Sequence, residues 1–64
     1  MNAQLTFTDL ERAGTDAGTL WDAHYNEVEI AAGSTRDKAA RVALATELKR
    51  LNQLHTEYFG EKAA

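Results

Sequence analysis

The C-terminal half of the chain carries a regular pattern of apolar residues. From Leu44 onward they recur at alternating intervals of four and three residues, the spacing of a helix that packs along another helix. Further apolar positions widen this stripe to the width of a globular core. With Ser34 as N-cap and Gly60 as terminator, the pattern predicts a helix over about residues 35–59. The stripe consists of Leu44, Leu48, Leu51, His55 and Tyr58, widened by Ala40, Leu54 and Phe59.

A second helix is predicted over about residues 20–32. An earlier start at Thr15 or Asp16 is the alternative, which Gly18 in the first turn disfavours. Thr19, with Asp22 three residues later, provides a capping sequence, and Gly33 provides a terminator. At about 100° per residue, most apolar residues of this segment share one face, whereas Ile30 points away from it. The apolar face comprises Leu20, Trp21, His24, Tyr25, Val28, Ala31 and Ala32, and the polar stripe on the other side comprises Asp22, Asn26 and Glu29.

The N-terminal segment predicts one short helix followed by a loop. Thr8 and Glu11 fit a capping box, in which each side chain accepts a hydrogen bond from the other residue's amide. The box predicts a helix over about residues 9–13, ended by Gly14 in a left-handed conformation. The two glycines of Gly14–Gly18 predict a loop before the next helix. We expect residues 1–7 to form an extended arm, and residues 1–4 and 61–64 to be frayed.

These elements predict a single all-α domain over residues 1–64, a small helical hairpin with a short N-terminal helix. A connection as short as Gly33–Ser34 forces a tight turn, so residues equidistant from the turn face each other. Trp21 is then expected opposite about residue 46, and the second helix ends before it covers Leu51. We predict that apolar residues of the arm and the short N-terminal helix cover this far end; the alternative is that a second subunit covers it. The residues of the chain that could do so are Leu5, Phe7, Leu10 and Ala13.

Length and composition restrict the class of protein. A domain of 64 residues buries only about 60% of its unfolded surface, so good helix packing or a partner has to supply stability. Without cysteine, neither a disulfide nor a thiolate metal site can form. The sequence shows no secretory signal and no run of about 20 apolar residues. We therefore expect a cytoplasmic protein that does not bind a membrane.

The net charge of −3 is distributed unevenly along the chain. Residues 1–33 contain six acids and one base, a balance of −5, whereas residues 34–64 contain four acids and six bases, a balance of +2. The first half therefore presents an acidic surface. Such a surface suits the basic groove of a larger protein, for example a nucleic-acid enzyme. The acids of the first half are Asp9, Glu11, Asp16, Asp22, Glu27 and Glu29.

No motif indicates catalysis, a metal or a cofactor. His24 and Glu27 stand three residues apart, but His55 is expected near the other end of the hairpin, and one histidine with one glutamate is too few ligands for zinc. There is no Gly-x-Ser-x-Gly element, and Gly14–Gly18 lacks the lysine of a phosphate loop. We predict a protein that is not an enzyme and that needs no cofactor.

The basic residues of the long helix raise a nucleic-acid hypothesis. They are scattered around the helix, and the negative net charge disfavours a phosphate backbone as ligand. A helical nucleic-acid-binding protein is therefore kept only as an alternative. The bases are Arg36, Lys38, Arg41, Lys49 and Arg50.

Ile30 and Val42 are apolar residues that the helical pattern leaves outside the core, and they form a candidate patch for a partner or a dimer. The predicted function is a protein-interaction module, an inhibitor or adaptor of the kind that phages and mobile elements encode. It would bind a larger protein through its acidic N-terminal half. A structural, oligomerising component, including a homodimer, is a further alternative. The predicted partner-binding residues are Asp16, Asp22, Asn26, Glu27, Glu29, Ile30 and Val42.

Overall fold

A computed structural model describes residues 4–60, and all of their regular structure is helical. The described residues contain no strand, and the predicted all-α hairpin is confirmed. The short N-terminal helix is present with different bounds. The predicted fraying of residues 1–3 and 61–64 lies outside the described residues. The elements are α1 (Phe7–Ala13), a 3-10 turn (Gly14–Asp16), α2 (Ala17–Ser34), α3 (Lys38–His55) and a π-helical turn (Thr56–Gly60) that extends α3.

Helix α1 begins two residues earlier than the sequence pattern predicted. Thr6, rather than Thr8, is the N-cap: the Asp9 amide donates to the Thr6 hydroxyl at 3.3 Å, and the Thr6 amide donates to the Asp9 carboxylate at 2.9 Å. The Thr6 hydroxyl also donates to the Asp9 carboxylate, at 3.0 Å. The bonds that the Thr6 amide and hydroxyl donate to this carboxylate lower the pKa of Asp9. The earlier start places Phe7 in the first turn, where its ring meets Tyr58 edge-on at 5.2 Å. Tertiary packing therefore favours one of two similar capping boxes.

The predicted loop over Gly14–Gly18 is largely helical. Gly14 ends α1, as predicted, but its φ of 60° and ψ of −119° are not the left-handed helical conformation that was expected. A single 3-10 turn leads directly into α2 at Ala17. Asp16, and not Thr19, occupies the N-cap position of α2, without a side-chain hydrogen bond. Ala17 is only 2% exposed, so the earlier start of α2 places this residue in the core.

The turn between α2 and α3 lies later in the chain than predicted. Helix α2 continues through Gly33 to Ser34, whose hydroxyl donates to the Ile30 carbonyl at 2.8 Å. Ser34 therefore does not cap α3, and that prediction is wrong. The connection is formed by residues 35–37, in which the Asp37 amide donates to the Thr35 hydroxyl at 3.2 Å.

The displaced turn changes which residues of the hairpin face each other. The indole N–H of Trp21 donates to the backbone carbonyl of Leu51 at 2.8 Å, whereas the predicted turn placed Trp21 opposite residue 46. Helix α2 therefore reaches further along α3 than expected.

The core lies where the N-terminal arm, the start of α2 and the end of α3 meet. Leu10 and Leu51 are both 0% exposed, so the arm encloses the far end of α3 as predicted. The buried residues are Leu5, Leu10, Ala17, Leu51, Leu54 and Tyr58, with Phe7, Ala13, Trp21, Tyr25, Val28 and Phe59 packed against them.

A chain of aromatic rings continues from the core along the hairpin. Trp21 stacks on Tyr25 at 4.9 Å and meets the His55 ring edge-on at 4.6 Å. The His55 ring also lies 4.6 Å from Phe59, which meets Tyr58 at 4.9 Å. His55 is thus a structural member of this ring chain, which fixes the angle between α2 and the end of α3.

Truncation of Leu51 tests the position of the core. Because Leu51 is fully enclosed, we expect Leu51→Ala to lower the free energy of unfolding by about 2–5 kcal/mol. Leu20, at 37% exposure, provides a matched control that should lose less than half as much. Urea denaturation followed by circular dichroism measures both. If Leu51→Ala does not fold, Leu51→Met, which conserves volume, should cost below about 1.5 kcal/mol. Equal losses at the two leucines would contradict this core.

The two threonines of the arm allow a direct test of the cap. Thr6→Ala should cost about 1 kcal/mol of stability near neutral pH, whereas Thr8→Ala should cost little. Since the pKa of Asp9 is lowered in the folded state, its contribution is present above its unfolded pKa and is lost as the pH falls through the folded pKa. The difference between wild type and Thr6→Ala in thermal unfolding should therefore shrink in acid. A larger effect at Thr8 would favour the later cap.

Candidate partner-binding site

The predicted partner-binding residues of α2 lie mostly on the side of the helix that faces solvent. Asp22, Asn26 and Glu29 are exposed and follow one another at intervals of four and three, so they form one strip. Asp16 is exposed in the 3-10 turn before α2. It lies roughly 20 Å along the helix axis from Ile30. The predicted residues therefore do not form one compact cluster.

Ile30 and Val42 are both exposed, at 68% and 61%. Ile30 comes nine residues after Trp21, and Val42 comes nine residues before Leu51. In each case the separation is about 180° around the helix, so each lies on the side of its helix opposite to Trp21 or Leu51. Ile30 lines a groove between the two helices and Val42 does not, so the structure does not join them in one patch there.

A groove of about 900 Å³ runs between α2 and α3, on one face of the hairpin near its turn. Two predicted site residues, Glu27 and Ile30, line it, while Val42 does not. Gln4, at the end of the arm, borders the groove on the side of the core. The apolar part of the lining consists of Val28, Ile30, Ala31, Ala43 and Leu44.

The groove exists because the arm and α1, which pack over the hairpin as a third layer, cover only the end of the hairpin that contains the core. None of the residues between Ala17 and Leu51 is fully buried. Val28 and Leu44 are half-buried, and Ala31 and Ala43 are exposed. The sequence pattern assigned Ala31 to the core face and gave no role to Ala43. The concentration of alanines in both helices near the turn is the feature that could have indicated a thin, uncovered region.

The lining of the groove is negatively charged. Its ionisable residues are His24, Glu27 and Glu47, with no lysine or arginine. Arg50 donates from Nε and Nη2 to Glu47 at 2.7 and 2.6 Å, which lowers the pKa of Glu47 and raises that of Arg50. Gln4, predicted to be frayed, also donates to Glu47, at 3.4 Å. Glu27 makes no hydrogen bond or ion pair with any residue in the range 4–60. Its carboxylate is therefore available to a partner.

The basic residues of α3 are partly engaged within the hairpin. Arg50 is bound to Glu47, and Arg41 donates from Nε to the Thr35 carbonyl at 3.3 Å. Lys38 and Lys49 are exposed. This arrangement adds no support to the nucleic-acid alternative.

Within residues 4–60, no group of three or more His, Asp or Glu residues is placed to hold a metal ion. No helix in that range combines the length and the apolar character needed to cross a membrane. Comparison with protein-family models, curated proteins and solved structures finds no significant match to the chain. Its function is therefore inferred from the hairpin itself.

The Glu47–Arg50 pair makes a prediction about titration. Because the Arg50 hydrogen bonds lower the pKa of Glu47, NMR of the Glu47 carboxyl carbon should give a midpoint below the ordinary 4.5. Arg50→Gln should move the midpoint back toward that value, whereas Lys49→Gln should leave it unchanged. The stabilisation is present above the unfolded pKa and is lost as the pH falls through the folded pKa. Equal midpoints in wild type and Arg50→Gln would show that the pair does not form in solution.

Proposed function

We propose that the protein is a non-enzymatic interaction module that binds a larger protein through the acidic side of α2. The observation that supports this most is the charge of that helix: Asp22, Glu27 and Glu29 are all exposed, and α2 contains no lysine or arginine. Protein surfaces commonly intersperse charges of both signs unless a single-sign field has a use. A helix with one sign of charge steers and orients a partner of the opposite sign.

The acids of α2 are not neutralised by the rest of the fold. Between described residues the structure shows one ion pair, Arg50 with Glu47, and both of its members belong to α3. The opposite charge balances of the two halves of the chain would allow ion pairs between them. The carboxylates of α2 instead face solvent and form no ion pair within residues 4–60, so their charge remains free for another molecule.

The proposed partner carries a basic surface, as the nucleic-acid groove of an enzyme does. A chain of 64 residues that covers such a surface would act as an inhibitor or adaptor. Phages and mobile elements encode small proteins of this kind, and the cytoplasm is the compartment in which we place the interaction.

A second candidate function is that of a subunit in a homo-oligomer. It is favoured by the uncovered half of the hairpin, where apolar residues such as Val28 and Leu44 line an open groove. Small domains often supplement a limited core by association. The acidic lining of the groove makes this candidate weaker than a basic partner.

Affinity capture with charge variants tests the proposed function. The full chain, immobilised, should retain one stoichiometric protein from a lysate of the producing cells, and salt of about 0.5 M should release it. Asp22→Asn combined with Glu29→Gln should reduce the retained amount, because each change removes one exposed charge of α2. Glu11→Gln combined with Glu57→Gln, which removes the same charge elsewhere, serves as the matched control. Quantitative mass spectrometry and calorimetry with the purified partner provide the measurements.

Two results would contradict the proposal. One is the absence of any stoichiometric partner at low salt. The other is a partner whose affinity falls equally in the α2 double variant and in the control, because the acidic side of α2 would then have no special part in binding.

A further inference from the structure

We propose that the groove between α2 and α3 receives an amphipathic helix of the partner, with an apolar stripe in the groove and a lysine or arginine paired with Glu27. This inference rests on the proposed function and narrows it. It assigns the direct contact to the edge of α2 that carries Glu27 and Ile30, and leaves to the strip formed by Asp22, Asn26 and Glu29 the long-range attraction of a basic partner.

The position of the arm shows what kind of element the groove lacks. At the core end, the arm with α1 forms a third layer over the hairpin, and its Leu5 and Leu10 are buried in the cluster that contains Leu51. Gln4 borders the groove, so the open region begins where this layer ends. A helix from another molecule would extend the same layer toward the turn, where two helices alone leave every side chain at least partly exposed.

The side chains of the groove are suited to close contact with a helix. Ala31 and Ala43 stand on its two walls and leave room for an approaching backbone, while Val28 and Leu44 supply apolar area below them. Helix axes pack about 8–10 Å apart, and small residues favour the shorter distances. Ile30 is 68% exposed and would gain burial at the rim. The lining of α2 extends roughly 15 Å along its axis, which matches a helix of about three turns.

The charge of the groove selects the chemistry of the occupant. An element that covers the groove removes the Glu27 carboxylate from water, and a buried carboxylate is costly unless it is paired. No lysine or arginine of the lining can pair with it, so the occupant has to supply the cation. A second copy of this chain that paired groove to groove in a symmetric dimer would present the same acidic lining and no cation. A basic amphipathic helix therefore fits better than self-association.

Peptide selection with matched groove variants tests the inference. The probe is a displayed library of helical peptides of about four turns, with varied residues on an alanine frame, selected against the full chain. Ala43→Trp fills the groove, and Ala45→Trp places the same side chain at an exposed alanine of α3 that does not line it. Circular dichroism and thermal unfolding establish that both variants fold.

We expect the selected peptides to carry apolar residues at helical spacing together with lysine or arginine. Their affinity should fall by about tenfold or more in Ala43→Trp and in Glu27→Gln, should fall far less in Glu29→Gln, and should stay unchanged in Ala45→Trp. On binding, NMR shifts of the protein should change at Ala31 and Leu44, which line the groove.

Several outcomes would overturn the inference. The inference fails if no peptides are enriched on the wild-type chain relative to Ala43→Trp, or if the enriched peptides lack basic residues. Peptides that bind Ala43→Trp as tightly as wild type but lose affinity in the Asp22→Asn, Glu29→Gln variant would refute binding in the groove and leave the proposed function intact. Groove-binding peptides without a captured cellular partner would refute the proposed function and keep the groove. A dimer in analytical ultracentrifugation that Ala43→Trp dissociates, and Ala45→Trp does not, would assign the groove to a second copy.

Discussion

The enclosure of Leu51 is the interaction on which the rest of the structure depends. Its side chain is 0% exposed within the buried cluster, and its backbone carbonyl accepts the indole N–H of Trp21 at 2.8 Å. The arm, α2 and α3 therefore all meet at one residue. In a domain of this size a single core has to supply most of the hydrophobic stabilisation. Phe7 of α1 joins this junction through its ring contact with Tyr58, and the ring chain from Tyr58 to Tyr25 connects the junction to α2.

A core at one end leaves the other end of the hairpin with two layers. Two antiparallel helices shield only the line of contact between them, so Val28 and Leu44 stay half-buried there. The sequence limits the cost of this exposure by using alanine at many of the surrounding positions, because alanine exposes little apolar area. Two large apolar residues near this end, Ile30 and Val42, are nevertheless exposed, and of the two it is Ile30 that stands at the rim of the groove. Ile30, beside the carboxylate of Glu27, which forms no ion pair within residues 4–60, distinguishes the groove from an ordinary thin region.

The sequence predicted the hairpin and the covering arm because both follow from long-range patterns of apolar residues. The apolar stripe of α3 was too long for α2 to cover, and Leu5 and Leu10 were the residues available to cover the remainder. The register was predicted less well, because it depends on local competition between similar signals. Ser34 could cap α3 or bond back to Ile30, and the structure shows the second. When the turn of an antiparallel hairpin moves by one residue, the residue that faces a given position moves by two. A small error in the position of the turn therefore became a larger error in the pairing of α2 with α3.

The candidate site was predictable only in its individual residues. Glu27 and Ile30 stood out as an acid and an off-pattern apolar residue, but their connection depends on where the arm stops, which no local pattern encodes. Glu47 was overlooked because it lies in a basic helix, yet Arg50 and Gln4 hold it at the groove. The same geometry links binding to stability. The proposed partner helix would bind only the folded chain, so it would raise the stability of this small domain by an amount set by its concentration relative to Kd. The end of the hairpin farthest from Leu51, where no described side chain is fully buried, is the part that this helix would cover.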